Sequence, residues 1–132
     1  MLVIQCLVFA DGGLTALGSN IFNMAIIGGV GGYGIFRCLK FVLPRSKTGF
    51  LASVALAAWT SVVLASAACA AELALSGTSP LVVAMPAMIG VHVLIGIGEA
   101  IITTVVVSMV IAVRPDLIPS WDRGIERQVQ EA

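Results

Sequence analysis

The positions of the cationic residues constrain this chain more than any other feature of its sequence. All seven lysines and arginines fall between Arg37 and Lys47 or between Arg114 and Arg127. Apolar runs precede and separate these two stretches, and they are long enough to cross a bilayer, which takes about 20 apolar residues per helix. Because cationic residues gather in the cytoplasmic loops of membrane proteins, the pattern predicts an integral membrane protein and also its orientation.

The composition agrees with a membrane protein. Hydrophobic residues make up 59% of the chain and charged residues 11%, against about 45–50% and about 25% in soluble domains. A soluble all-helical protein is the alternative, but a domain this small cannot enclose several such helices. The zero net charge argues against a nucleic-acid partner, which calls for a basic patch. We therefore predict an all-α, polytopic membrane bundle with lipid as its surroundings.

Three full membrane spans are predicted after a partial N-terminal helix. In chain order, these are about residues 1–10 (partial helix), 20–43, 49–75 and 81–113 (full spans). They form a transmembrane domain, residues 1–113, which is followed by a cytoplasmic tail, residues 114–132. The third span is longer than one crossing requires, so we expect it to tilt or to break near Pro86.

The first ten residues are apolar but too short to span a membrane. They lack the cationic start and the small-residue cleavage site of a signal peptide, so we expect the second half of a membrane helix and a natural start upstream of Met1. Asp11-Gly12-Gly13 ends this run, as Asp-Gly pairs usually do. Residues 13–23 are expected to form a loop or a short re-entrant turn.

The loops assign a side of the membrane to each end of the spans. Loop 44–48 and the tail carry the cations, whereas loops 11–19 and 76–80 carry none. The first pair is therefore predicted to lie in the cytoplasm and the second pair outside a plasma membrane, with a cytoplasmic C-terminus.

The tail contains a possible amphipathic helix. Ser120 is placed to cap it, and Trp121, Ile125 and Val129 recur every fourth residue. A solvated tail without such a helix is the equal alternative.

Polar residues inside the apolar runs are the candidate functional residues. Glu99 lies near the middle of the third span, where a charge costs at least ~2.5–3.5 kcal/mol. His92 shares its helical face but lies about 10 Å away along the axis, too far for a hydrogen bond. Asn20 and Asn23 lie at the outer mouth of the first span. These four residues form either a polar path or hydrogen bonds that hold helices together, and the two asparagines could also act as helix caps. Glu72 is interpreted as an interfacial charge.

Small residues predict close helix packing. Gly28 and Gly32 form a small-xxx-small pair, and Gly96 and Gly98 lie between His92 and Glu99. We expect the third span to pack tightly through such glycines, against the first span.

No catalytic or zinc-binding pattern is present in the sequence. Cys6, Cys38 and Cys69 have no CxxC spacing and are interpreted as small apolar fillers. There is a single histidine, and neither GxSxG nor HExxH occurs. No enzymatic activity and no covalently bound cofactor are expected.

Two segments resemble a known family. Asp11-Gly-Gly-Leu-Thr-Ala-Leu-Gly-Ser-Asn-Ile-Phe-Asn23-Met24 and His92-Val-Leu-Ile-Gly-Ile-Gly-Glu99-Ala-Ile-Ile-Thr are similar to the cobalt and nickel substrate-binding membrane subunits of energy-coupling factor transporters, the CbiM/NikM family. The resemblance implies uptake of Co²⁺ or Ni²⁺, a transmembrane coupling subunit and cytoplasmic ATPase subunits as partners, and a link to cobalamin biosynthesis.

The metal ligands of that family do not map onto this sequence. Its members start with Met-His, which binds the metal, and carry a further histidine upstream of the DGGLTALG-like motif. Here Leu2 follows Met1, so the metal-binding residues stay unassigned, and a single histidine cannot supply a nickel or cobalt site.

Two other functions remain open from the sequence. One is a small homodimeric, proton-coupled transporter in which Glu99 carries the proton. The other is a non-transporting membrane assembly subunit, in which Glu99 and His92 only hold helices together.

Overall fold

The chain folds into helices that are joined by short turns, as shown by a computed structural model that describes residues 2–8 and 13–121. Their bounds, in chain order, are Leu2–Val8 (α1), Gly13–Asn20 (α2), Ile21–Gly31 (a π-helical segment), Gly32–Val42 (α3), Lys47–Leu75 (α4), Leu81–Val113 (α5) and Pro115–Leu117 (a 3₁₀ turn). The described part of the chain contains no strand.

Three continuous helices are long and apolar enough to cross a membrane. They are Ala16–Val42, Lys47–Leu75 and Leu81–Val113, and here they are called the first, second and third spans. Most of their surface is exposed, as expected of helices that face lipid tails. The predicted all-α membrane bundle with a short N-terminal helix is thus confirmed.

The predicted loop or re-entrant turn at residues 13–23 is wrong. The structure has α2 from Gly13 to Asn20, and this helix continues into the π-helical segment. The segment contains no proline, so nothing in it prevents helical hydrogen bonding from reaching into the apolar run.

The predicted break near Pro86 is also absent. α5 runs without interruption for 33 residues with Pro86 inside it. At about 1.5 Å per residue, this helix is about 50 Å long, well beyond the ~30 Å of a hydrocarbon core.

The turn between the first and second spans requires a glycine at one position. Ser46 caps α4, because its hydroxyl accepts a hydrogen bond from the backbone N–H of Gly49 at 3.1 Å. A Cβ at Gly49 would lie 2.0 Å from the carbonyl oxygen of Pro44. Only glycine permits this close approach of the backbone.

The second span is the centre of the bundle. It packs along the third span on one side and against the π-helical segment and α3 on the other. We expected the third span to pack mainly against the first, and this is wrong. The glycines predict a close approach, but they do not specify the partner helix.

An aromatic cluster closes one end of the bundle. The ring of Phe50 meets the ring of Phe36 edge-on at 5.5 Å and that of Trp121 at 5.0 Å. Lys40 Nζ donates a hydrogen bond to the backbone carbonyl of Ser120. The 43–46 turn and residues 114–121 therefore share one end of the bundle, here called the cationic end.

Most of the predicted amphipathic tail segment lies outside the described residues. Of its members, Ile125 and Val129 are not described, whereas Trp121 is 6% exposed and packs on Phe50. Arg114 and Asp116 form an exposed ion pair at 2.8 Å, and its hydrogen bond lowers the pKa of the Asp116 carboxyl.

Candidate functional site

A cavity of about 500 Å³ lies between the three spans. It is lined by all four polar residues that were singled out in the sequence: Asn20, Asn23, His92 and Glu99. The second span contributes small residues to the same lining, namely Ser61, Val62, Ala65, Ser66 and Cys69. Small side chains there leave room for the cavity, which we call the inter-span cavity.

The π-helical segment shapes the cavity wall on the side of the first span. It runs for 11 residues, Ile21–Gly31, and brings Asn23, Met24, Gly28 and Gly29 to the lining. π-Helical turns are rare and occur frequently at functional sites, because the wider turn changes which side chains face inward.

Asn23 is held in place by a hydrogen bond between spans. Its Nδ2 donates to Oε2 of Glu72 at 3.0 Å, and the residue is 5% exposed. Since a carboxylate can only accept hydrogen bonds, the amide nitrogen must face Glu72. The amide oxygen, Oδ1, is then the free atom, and it is buried without a hydrogen-bond partner in the described structure.

Glu72 was predicted to be an interfacial charge, and the structure adds that its carboxylate accepts a hydrogen bond from Asn23. It lies near the loop end of the second span, as expected, and is half-buried with its carboxylate bonded to the first span. Glu72 lies three positions before the end of the second span at Leu75, and Asn23 lies seven positions after the start of the first span at Ala16.

His92 has a defined tautomer when its ring is neutral. Its Nδ1 lies 2.7 Å from the carbonyl oxygen of Met88, one turn earlier in α5. A carbonyl only accepts, so Nδ1 carries the hydrogen and Nε2 keeps its lone pair. An imidazole oriented in this way by a backbone carbonyl can accept a proton or bind a cation through Nε2.

Glu99 contributes a carboxylate to the lining of the inter-span cavity. It is exposed in the single chain and has no hydrogen-bond or ion-pair partner within residues 2–8 and 13–121. A carboxylate at this depth in a membrane requires water, a cation, a proton or another protein surface beside it.

The hydrogen bonds between spans come from residues other than His92 and Glu99. His92 bonds within its own helix, whereas Trp59 Nε1 donates across to the carbonyl of Val93 at 3.1 Å. Trp59 was not predicted as a helix-holding residue; its position inside the second span was the available signal, because an indole N–H in lipid needs an acceptor.

Only two of the four candidate packing glycines stand at close helix contacts. A Cβ at Gly32 would lie 2.9 Å from Ser61 Cβ, and one at Gly96 would lie 3.0 Å from Trp59 Cδ1. A Cβ at Gly98 would meet nothing within 4 Å, and one at Gly28 would meet only the backbone oxygen of Asn23 at 3.4 Å. Gly28 instead borders the inter-span cavity.

The polar atoms of the cavity differ from those of a preformed metal centre. Within the described ranges, no three histidine, cysteine or acidic side chains come together as a metal-binding group. The donors in the cavity lining include the free oxygen of Asn23, the imidazole of His92 and the carboxylate of Glu99. Such a lining can replace part of the hydration of a passing cation.

These features define a class: a polytopic helical membrane protein with a polar cavity between its spans. The chain belongs to the CbiM family, described as the cobalt uptake substrate-specific transmembrane region, whose profile matches residues 1–117. The resemblance seen in the sequence is thereby confirmed.

Individual relatives support the family assignment. The chain is 42% identical over 120 residues to a protein of Archaeoglobus fulgidus with the provisional name fused nickel transport protein NikMN, covering 89% of this chain and 39% of that one. It is 32% identical to a provisionally named metal transport protein of Methanocaldococcus jannaschii, covering 95% and 58% of the two chains.

A solved structure has the same fold. The crystal structure of a protein described as a truncated transition metal transporter is 37% identical, with a TM-score of 0.73, and the match covers 84% of this chain and 56% of that one. The chain thus spans about 40–60% of the length of these relatives.

Proposed function

We propose that this chain forms part of the substrate-specific membrane subunit of a transporter that takes up Co²⁺ or Ni²⁺. The observation that carries the proposal is the inter-span cavity, which gathers polar residues from three apolar spans in a member of the CbiM family. The names of the matching relatives, which refer to nickel and cobalt transport, support this choice of ion.

The cavity gives the ion a route into the membrane. The cationic end is the cytoplasmic end in this proposal, so the Ser76–Pro80 turn and Asn20 lie outside. Along α5, which is about 50 Å long, His92 and Glu99 lie 11 and 18 residues from Leu81, or about 16 Å and about 27 Å from its outer end at about 1.5 Å per residue. The polar lining therefore continues from the outer mouth to the middle of the membrane.

The residues of the cavity have separate roles in this proposal. Glu72 fixes the amide of Asn23 so that its oxygen is free for the ion. Met88 orients His92 so that Nε2 is available. The carboxylate of Glu99 compensates the charge of a divalent cation at depth, where the bilayer itself offers none.

The energy for uptake comes from other subunits in this proposal. Cytoplasmic ATPase subunits hydrolyse ATP, a transmembrane coupling subunit connects them to this chain, and the chain itself catalyses no reaction. Its plasma-membrane location and cytoplasmic C-terminus follow from the same arrangement.

The test is uptake of radioactive ⁵⁷Co²⁺ and ⁶³Ni²⁺ by cells that express the coupling and ATPase subunits with or without this chain. We expect the chain to raise uptake of one ion, and Glu99→Gln to lower it at least about tenfold, because the cavity lining loses the carboxylate of Glu99. Asp116→Asn removes an exposed carboxylate at the cationic end and should leave uptake unchanged. Equal uptake with and without the chain would contradict the proposal and favour an assembly subunit.

A second candidate function is a homodimeric transporter that is driven by protons through Glu99. The observation in its favour is the lack of a partner for this exposed carboxylate among the described residues. Dissipating the proton gradient while ATP is maintained should stop this transporter but leave ATP-driven uptake intact. Transport that continues would therefore eliminate this candidate.

A further inference from the structure

A second cavity lies at the cationic end, between the last turn of α3 and the first turns of α4. It has a volume of about 270 Å³, and three cationic side chains line it: Arg37, Lys40 and Arg45. Among the described residues, no carboxylate belongs to its lining, which is completed by Phe41, Pro44, Gly49, Phe50 and Ser53. We call it the basic pocket.

The positive charge of the basic pocket is not neutralised by the described residues. Neither Arg37 nor Arg45 has a hydrogen bond or an ion pair there, and the one ion pair in that part of the chain joins Arg114 to Asp116. Lys40 is already engaged, because its Nζ bonds the carbonyl of Ser120 and lies 5.9 Å from the centre of the Phe50 ring. The two guanidinium groups are therefore left to bind an anion.

The surroundings of the basic pocket indicate an anion with an apolar tail. The pocket lies where the spans end, at the depth of lipid headgroups, and Phe41 of its lining is 89% exposed. The adjacent Val42 is 80% exposed. A phospholipid fits these surroundings. Its phosphate can contact Arg37 and Arg45, while its acyl chains contact the exposed side chains of Phe41 and Val42.

We propose that the basic pocket binds the phosphate of an anionic phospholipid through Arg37 and Arg45. Guanidinium groups bind phosphate oxygens through two parallel hydrogen bonds, which are stronger than bonds between neutral groups. Basic pockets between membrane helices on the cytoplasmic side are recognised headgroup sites. The bound lipid neutralises the repulsion between the three cations and so stabilises the hairpin of α3 and α4.

The experiment is native mass spectrometry of the purified full chain in detergent, titrated with phosphatidylglycerol or phosphatidylcholine. We expect the wild-type chain to prefer phosphatidylglycerol, and Arg37→Gln with Arg45→Gln to weaken that binding at least about tenfold. A tenfold change corresponds to about 1.4 kcal/mol, which the loss of one hydrogen bond to a charged group is sufficient to cause. Arg37→Lys with Arg45→Lys should retain part of the affinity, because the charge remains.

The matched control removes two cations from the same end but outside the basic pocket. Lys47→Gln with Arg114→Gln should change the affinity for phosphatidylglycerol less than about twofold. Equal losses in both double variants would indicate general surface attraction and overturn the proposal, as would equal affinity of the wild type for both lipids.

Two further outcomes would assign the basic pocket to another ligand. Full displacement of the lipid by millimolar inorganic phosphate would indicate a site for free anions. Unchanged lipid binding by the Arg37→Gln, Arg45→Gln variant, with loss of co-purifying transporter subunits, would indicate a protein interface. Either result would contradict the proposal.

Discussion

The hydrogen bond from Asn23 to Glu72 joins the first and second spans beside the inter-span cavity. We expect a double-mutant cycle with Asn23→Ala and Glu72→Ala to give a coupling free energy of about 1 kcal/mol in the unfolding of the purified protein. This value lies between two known contributions to stability. Hydrogen bonds to charged groups in soluble proteins contribute more, and hydrogen bonds between membrane helices contribute less on average.

Glu72→Gln is the control for that cycle. Its amide oxygen can still accept the hydrogen bond from Asn23, so most of the stability should remain. A coupling energy near zero would show that the two side chains do not interact.

His92 can be observed by itself, because it is the only histidine of the chain. In the ¹⁵N spectrum of labelled protein at alkaline pH, we expect a protonated Nδ1 and a bare Nε2, since Met88 can only accept a hydrogen bond. Adding Co²⁺ should broaden the Nε2 signal. A protonated Nε2 would contradict the assigned orientation, and an unaffected spectrum would remove His92 from the path of the ion.

The residue types at the site were predictable, but their bonding was not. A charge, an imidazole or an amide within an apolar run stands out from the sequence alone, which is why Asn20, Asn23, His92 and Glu99 were identified, whereas the small polar residues Ser61 and Ser66 of the same lining were not. The hydrogen-bond partner of each residue depends on how neighbouring helices align along their axes. The sequence pattern indicates which residues share a face only within a single helix. The pair of Asn23 and Glu72, which spans 49 positions, was therefore missed.

At the scale of helices, α5 offers a matched pair of glycines. A side chain at Gly96 would collide with Trp59, whereas one at Gly98 would meet open space. We expect Gly96→Leu to lower the free energy of unfolding by about 1–3 kcal/mol through overpacking, and Gly98→Leu to be nearly neutral. Thermal unfolding of the two variants in detergent measures the difference, and equal effects would contradict the packing of the second and third spans.

The lengths of the spans follow from the sequence, whereas the shape of the first span does not. Long apolar runs between charged or glycine-rich turns determine where helices cross, so the second and third spans begin within about two residues of their predicted positions. The widened π-helical turn of Ile21–Gly31 packs against the second span, and the local sequence pattern did not predict it.

At the scale of the whole molecule, the described cations Arg37, Lys40, Arg45, Lys47 and Arg114 lie toward one end of the bundle. The contact of Lys40 with Ser120 and that of Phe50 with Trp121 join the 43–46 turn to residues 114–121. This agrees with the sequence pattern, in which all cations were assigned to one side. The partner of the third span was not predictable, because the small-residue patterns of both neighbouring spans are compatible with close packing.

The central claim is that the inter-span cavity opens to the outside and takes up the transported ion. Cys69 lines this cavity, and Cys6 and Cys38 can be replaced by serine to leave it as the only thiol. The most direct measurement is the rate at which a membrane-impermeant thiol reagent, added outside the cell, modifies Cys69 with and without Co²⁺ or Ni²⁺.

We predict that Cys69 reacts from outside and that one of these ions slows the reaction, whereas Mg²⁺ does not. A single cysteine introduced as Ser79→Cys in the outer turn should react at the same rate with and without the ion. Reaction of Cys69 from the cytoplasmic side alone, or equal slowing at both positions, would contradict the account.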